Sequence, residues 1–177
     1  MDSSGVGFGN LSVRDGATRN FFITGSATGG LSELTPADCV PVVAYDFARN
    51  WLRYEGAAIP SSESLTHVAI YESDPSTSAV IHCHDSVLWA TLFDRAPTTS
   101  KGVAYGTPEM AYEIIRLFEI RDVRSKKIFV MAGHRGGIVA FGKDLEDAFN
   151  VLMRARELPQ PCGAGGQNAR APRQRAE

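Results

Sequence analysis

Ala79-Val80-Ile81-His82-Cys83-His84-Asp85 carries an apolar, β-branched run straight into two histidines separated by one residue. Such a run reads as a buried strand. On a strand, side chains two apart share a face, so His82 and His84 point one way and Cys83 the other. Two imidazoles on one face can hold one metal ion when a third ligand arrives from another element, although an isolated His-x-His is also ordinary structure. The chain has four histidines. His134, in Gly133-His134-Arg135-Gly136-Gly137, follows a second apolar run, Ile128-Phe129-Val130-Met131, and the glycines after it permit a tight turn. The expectation is a three-histidine metal site of His82, His84 and His134.

The rest of the chain frames that stretch. With 177 residues, 44% hydrophobic and 21% charged, it suits one domain with a substantial core. A net charge of −2 gives no reason to expect nucleic acid or an anionic membrane as partner. No apolar run approaches the roughly 18 residues of a membrane span. Cys39, Cys83 and Cys162 show no paired spacing, which fits a reducing compartment, and the cytoplasm is expected.

In chain order, Leu11–Arg14 and Phe21–Ile23 read as a hairpin, followed by the Gly/Ser/Thr-rich Thr24–Gly30. Thr35-Pro36-Ala37-Asp38 reads as a short helix start, and Val40–Tyr45 and Asn50–Tyr54 as strands. Pro60-Ser61-Ser62-Glu63 opens a helix running through His67, Ile70 and Tyr71 until Asp74-Pro75. Asp85 caps a helix with Leu88, Trp89 and Leu92, and Thr107-Pro108 starts another with Ala111, Ile114, Ile115 and Phe118 at helical spacing. Ile128–Met131 and Ile138–Phe141 are strands, and Asp144–Arg156 is an amphipathic helix. The pattern predicts an α/β layered domain over residues 1–157 with a mixed, largely antiparallel sheet, and a disordered tail over residues 158–177.

Glu63 falls in the first turn of its helix, where the dipole favours an ionised carboxylate. A carboxylate near a Lewis-acidic metal is what proton transfer beside a carbonyl needs. Ser61 and Ser62 at the same helix start suit a phosphate, although Ser-Ser-Glu is equally a normal cap. His67, four residues after Glu63, can contact that carboxylate or the core. Arg135 can meet an anionic substrate or be a solvated turn residue.

Gly9-Asn10-Leu11-Ser12-Val13-Arg14, Ile23-Thr24-Gly25, Pro60-Ser61-Ser62-Glu63 with His67, Val80-Ile81-His82-Cys83-His84 and Gly133-His134-Arg135-Gly136-Gly137 stand in an order that resembles the class II aldolase/adducin family. The resemblance runs from about Gly7 to Arg156. It implies a three-layer α/β/α sandwich and a homotetramer with sites at subunit interfaces. It further implies zinc (or another divalent ion) on His82, His84 and His134, and Glu63 as catalytic acid/base. Gly9, Asn10, Thr24, Gly25, Ser61 and Ser62 match positions that hold a substrate phosphate. The implied reaction is retro-aldol cleavage of a sugar phosphate, a ketose 1-phosphate, to dihydroxyacetone phosphate and an aldehyde. A departure lies at Gly102, where the family's aldolases carry a tyrosine supplied to a neighbouring subunit; the nearest tyrosine here is Tyr105.

Three other readings stay open. The same metal and enolate chemistry serves an epimerase or a dehydratase. An adducin-like interaction domain shares the fold but loses the histidines, which are all present here. A cupin-type iron oxygenase also uses His-x-His with a later histidine, but needs many strands and a nearby downstream glutamate that Asp85 to Leu92 does not supply.

Overall fold

A computed structural model describes residues 8–93 and 95–159. Its centre is a seven-stranded sheet in the order β4-β3-β2-β1-β5-β7-β6. The strands are β1 (Gly9–Arg14), β2 (Phe21–Thr24), β3 (Cys39–Asp46), β4 (Trp51–Tyr54), β5 (Ala79–His84), β6 (Ile128–Val130) and β7 (Gly137–Gly142). All ladders between them are antiparallel, and among the described residues parallel pairing is confined to the isolated bridge between Thr98 and Val130.

Period-two alternation splits the core into two clusters, one on each face. On one face Phe21, Ile23, Val80, Val139 and Phe141 pack with α1 (Ser64–Ser73) and α3 (Pro108–Ile120). On the other, Ile138 and Ala140 pack with α2 (Ser86–Leu92) and α5 (Leu145–Arg156), and Ile81 and Cys83 lie against them. This is the expected three-layer α/β/α sandwich. A short α4 (Val123–Lys126), not foreseen from sequence, joins α3 to β6.

Helix starts follow local chemistry. The Asp85 carboxylate accepts from the N–H groups of Val87 and Leu88, and the Thr107 hydroxyl accepts from Met110 N–H with Pro108 at the first helical position. The Asp38 carboxylate accepts from Thr35 N–H, closing a single 3₁₀ turn over Pro36–Asp38.

Strand ends shift by one or two residues from expectation, and the helix boundary beside the site differs more. The helix read from Pro60 begins at Ser64, with Glu63 at its N-cap position rather than in its first turn. Pro60 forms a bridge with Gly25, and Ser61 N–H donates to the Thr24 carbonyl, so residues 60–61 are tied to the end of β2 before the helix can start. The expected tail from residue 158 lies, apart from Leu158 and Pro159, outside the described residues. No helix among the described residues is long and apolar enough to cross a membrane.

Candidate metal centre and its pocket

The sheet register assembles the site. β5 is an interior strand, with Asn10 of β1 opposite His82 on one side and Val139 of β7 opposite it on the other. His82 and His84 share the α1/α3 face, while Cys83 lies against the opposite cluster. Burial pushes the Cys83 thiol up to about 11. His134 sits in the turn between β6 and β7, closed by Met131 N–H to the Gly137 carbonyl and Gly137 N–H to the His134 carbonyl. A Cβ at Gly137 would stand 2.9 Å from His134 Cδ2 and 3.2 Å from His82 Cε1, so only glycine leaves room for both rings.

Each of these three histidines offers a ring nitrogen, and the three lie within 4.8 Å of one another. Nε2 of His84 and Nε2 of His134 are 2.8 Å apart. His82 Nδ1 lies 3.1 Å from the Ile138 carbonyl, which takes its proton and leaves the Nε2 lone pair facing the cluster. Burial holds His82 below the usual imidazole range, and burial with the neighbouring imidazoles brings His84 down to about 4. Both are therefore neutral near pH 7, the state in which imidazole ligates a metal. Three convergent imidazoles fit a divalent ion with an open position for substrate.

Glu63 closes the fourth side. Its Oε2 is 3.1 Å from His82 Nε2 and its Oε1 is 3.2 Å from His134 Nε2. The side chain is buried, and neither oxygen has a hydrogen-bond partner among the described residues. Burial opposes its ionisation, but the contact with His134 and the positive charge that His82 and His67 take on in acid outweigh that and bring the carboxyl to about 2. A buried carboxylate with both oxygens unpartnered beside three imidazoles has capacity for a further hydrogen-bonding or charged partner.

These side chains floor a cavity of about 260 Å³. Of the residues expected to hold phosphate, Gly9, Asn10, Gly25, Ser61 and Ser62 line it. Thr24 does not; its hydroxyl accepts from Leu11 N–H, and it lines an adjoining hollow. Among the described residues no lysine or arginine lines it, so an anion there would meet backbone N–H groups, hydroxyls and the start of α1. Arg135 is exposed and outside the lining.

Ser26 and Ala27, from the Gly/Ser/Thr-rich segment after β2, join the wall, and Phe8 completes it without having been singled out in the sequence, since a loop carries no periodicity to reveal which way it faces. Tyr105 joins them, stacked on His134. His67 is fully buried one turn into α1, and its Nδ1 lies 2.7 Å from the Ser12 hydroxyl.

Comparison with known proteins agrees with this architecture. Residues 4–160 match the family model for the class II aldolase and adducin N-terminal domain. A 3-oxo-tetronate 4-phosphate decarboxylase of Haemophilus influenzae is 29% identical over 158 residues, covering 80% of this chain and 70% of that protein. The solved structure of an L-fuculose 1-phosphate aldolase superposes with a TM-score of 0.65 at 26% identity, over 87% of this chain and 73% of the other. A sugar-phosphate aldolase from Thermotoga maritima shares the fold, with a TM-score of 0.62 at 17% identity over 85% of this chain and 82% of its own.

Proposed function

Because the chain belongs to the class II aldolase and adducin family, we propose that it is a divalent-metal-dependent lyase that breaks a carbon–carbon bond beside a carbonyl, through an enediolate. The observation that carries this reading is the meeting of three imidazoles with the unpartnered Glu63 carboxylate at the floor of one pocket.

His82, His84 and His134 would hold the ion, with zinc the first choice for an all-imidazole set. When bound, such an ion supplies Lewis acidity to a carbonyl oxygen and stabilises the negative charge that develops there. Glu63 moves the proton, delivering it to the enediolate carbon in the cleavage direction and removing it in reverse. Gly9, Asn10, Gly25, Ser61 and Ser62 would bind the phosphate of a small substrate through N–H groups and hydroxyls. Thr24 would support that wall through its bond to Leu11 N–H. The exposed Trp51 and Tyr54 on the edge strand β4 suit burial against other copies of the chain, as the expected tetramer requires.

Aldol cleavage of a ketose 1-phosphate is one form of this reaction. The similarity to a 3-oxo-tetronate 4-phosphate decarboxylase favours a second. Loss of carbon dioxide from such an acid leaves its bonding electron pair on the carbon next to the ketone. The product is the same enediolate, and protonation of either gives dihydroxyacetone phosphate.

That shared product supplies the test. The metal-loaded protein is expected to exchange a carbon-bound proton of dihydroxyacetone phosphate for deuterium in heavy water, and Glu63→Gln to abolish the exchange. Elemental analysis is expected to find about one divalent ion per chain, lost in His82→Ala and in His134→Ala. A protein that takes up no metal would overturn the reading and leave a non-catalytic, adducin-like domain.

A further inference from the structure

Behind Glu63 lies a buried polar chain. β1 places Asn10 and Ser12 on one face, and its register sets Asn10 beside His82 and Ser12 beside Val80. Ser12 is fully buried, and its hydroxyl stands 2.7 Å from His67 Nδ1 and 2.7 Å from the Tyr71 hydroxyl. His67 and Tyr71 lie one turn apart on α1, and Glu63 lies one turn before His67.

Counting protons fixes the direction of these bonds. Burial holds His67 neutral, with its pKa brought down to about 3, so the ring carries a single proton. Tyr71 is itself buried, and its hydroxyl bonds to Ser12 alone among the described residues. If Tyr71 donates to Ser12, then Ser12 donates to His67 Nδ1, and the imidazole proton must stand on Nε2. The reverse direction would strand both the phenol proton and the Nε2 lone pair. Nε2 has no hydrogen-bond partner among the described residues, and neither does either Glu63 oxygen. A histidine serving only the core would not leave a buried N–H unpaired.

We propose that His67 is a positioning residue for Glu63: Ser12 and Tyr71 fix its Nε2–H tautomer, and that N–H, across one trapped water, orients the carboxylate that moves the substrate proton. The inference rests on the lyase reading for its catalytic consequence, but the link between His67 and Glu63 is observable without turnover.

Two substitutions separate positioning from packing. His67→Gln keeps an amide donor near the place of Nε2, whereas His67→Asn keeps one only near Nδ1. In deuterium exchange into dihydroxyacetone phosphate, His67→Gln is expected to stay near the parent rate. His67→Asn is expected to lose about tenfold or more in kcat, with KM and metal per chain unchanged. Equal rates in the two variants would overturn the proposal. Nitrogen-15 NMR of the parent protein should show the His67 proton on Nε2, and Glu63→Gln should move that resonance. A proton on Nδ1, or a resonance blind to Glu63→Gln, would overturn the proposal even if no exchange were catalysed. Absence of exchange in the parent, by contrast, would tell against the lyase reading alone.

Discussion

Tyr105 lies over His134, with ring centroids 4.0 Å apart and planes inclined by 29°. The phenol therefore covers the imidazole that completes the three-histidine cluster, and it does so from the same chain. Its loop is fastened at two points. Val103 O would lie only 2.1 Å from a Cβ at Gly133, so the loop passes tightly against the turn that carries His134. Farther back, Ser100 donates both its N–H and its hydroxyl to Glu113 Oε1, each at 2.8 Å.

Removing that cover should loosen the centre. Tyr105→Ala is expected to weaken divalent-ion binding by roughly 0.5–1.5 kcal/mol, about two- to twelvefold. Tyr105→Phe, which keeps the stacked ring, should bind like the parent. Competition against a chromophoric chelator measures both, and equal affinity of Tyr105→Ala and parent would show that the stack supports nothing.

Gly137→Ala tests the space between the rings. The added methyl meets His134 and His82 at distances that force at least one imidazole to move. Elemental analysis should find the metal lost or strongly depleted. Circular dichroism should still show the sheet, because Gly137 sits at the first position of β7. Full metal occupancy would disprove the steric argument.

The anchor of the Tyr105 loop predicts a pH dependence. The Arg116 guanidinium, with the Ser100 donors, holds Glu113 down to about 2 from an ordinary 4.5. A depressed carboxyl contributes stability that is present above its unfolded pKa and is lost as pH falls through its folded one. The parent melting temperature should therefore fall between about pH 4.5 and pH 2 more steeply than that of Glu113→Gln, which lacks this contribution throughout. Parallel profiles would rule the anchor out.

Asp85 joins β5, the strand of His82 and His84, to α2. Its Oδ1 accepts from Val87 N–H at 3.0 Å and Leu88 N–H at 2.9 Å, directly after His84. Asp85→Ala should lower stability by about 1 kcal/mol in chemical denaturation. Asp85→Asn, which keeps a capping oxygen, should recover most of it.

Features written in local chemistry were legible from the sequence. The alternation of His82, Cys83 and His84 foretold which layer each side chain faces, and Asp85 and Thr107 announced their helices through capping preference. Features that depend on pairing between distant segments were not. Nothing near Pro60 says that it will bridge to Gly25 and delay α1, and nothing in the loop around Tyr105 says that the chain will fold it onto His134. The five ordered motifs identified the family, and with it the expected phosphate contacts. They did not reveal that the Thr24 hydroxyl is occupied by Leu11 N–H, because that bond is made only when β1 and β2 pair.

The placement of Cys83 bears on which ion the pocket can keep. Its sulfur lies against the α2/α5 cluster, with the full thickness of the sheet between it and the imidazoles. The donors that face the pocket are nitrogen and oxygen, and thiolate, the ligand that draws cuprous copper, is turned away. For the ion proposed above, a strand's alternation of side chains would act as a chemical sieve, favouring borderline ions such as zinc or cobalt over soft ones.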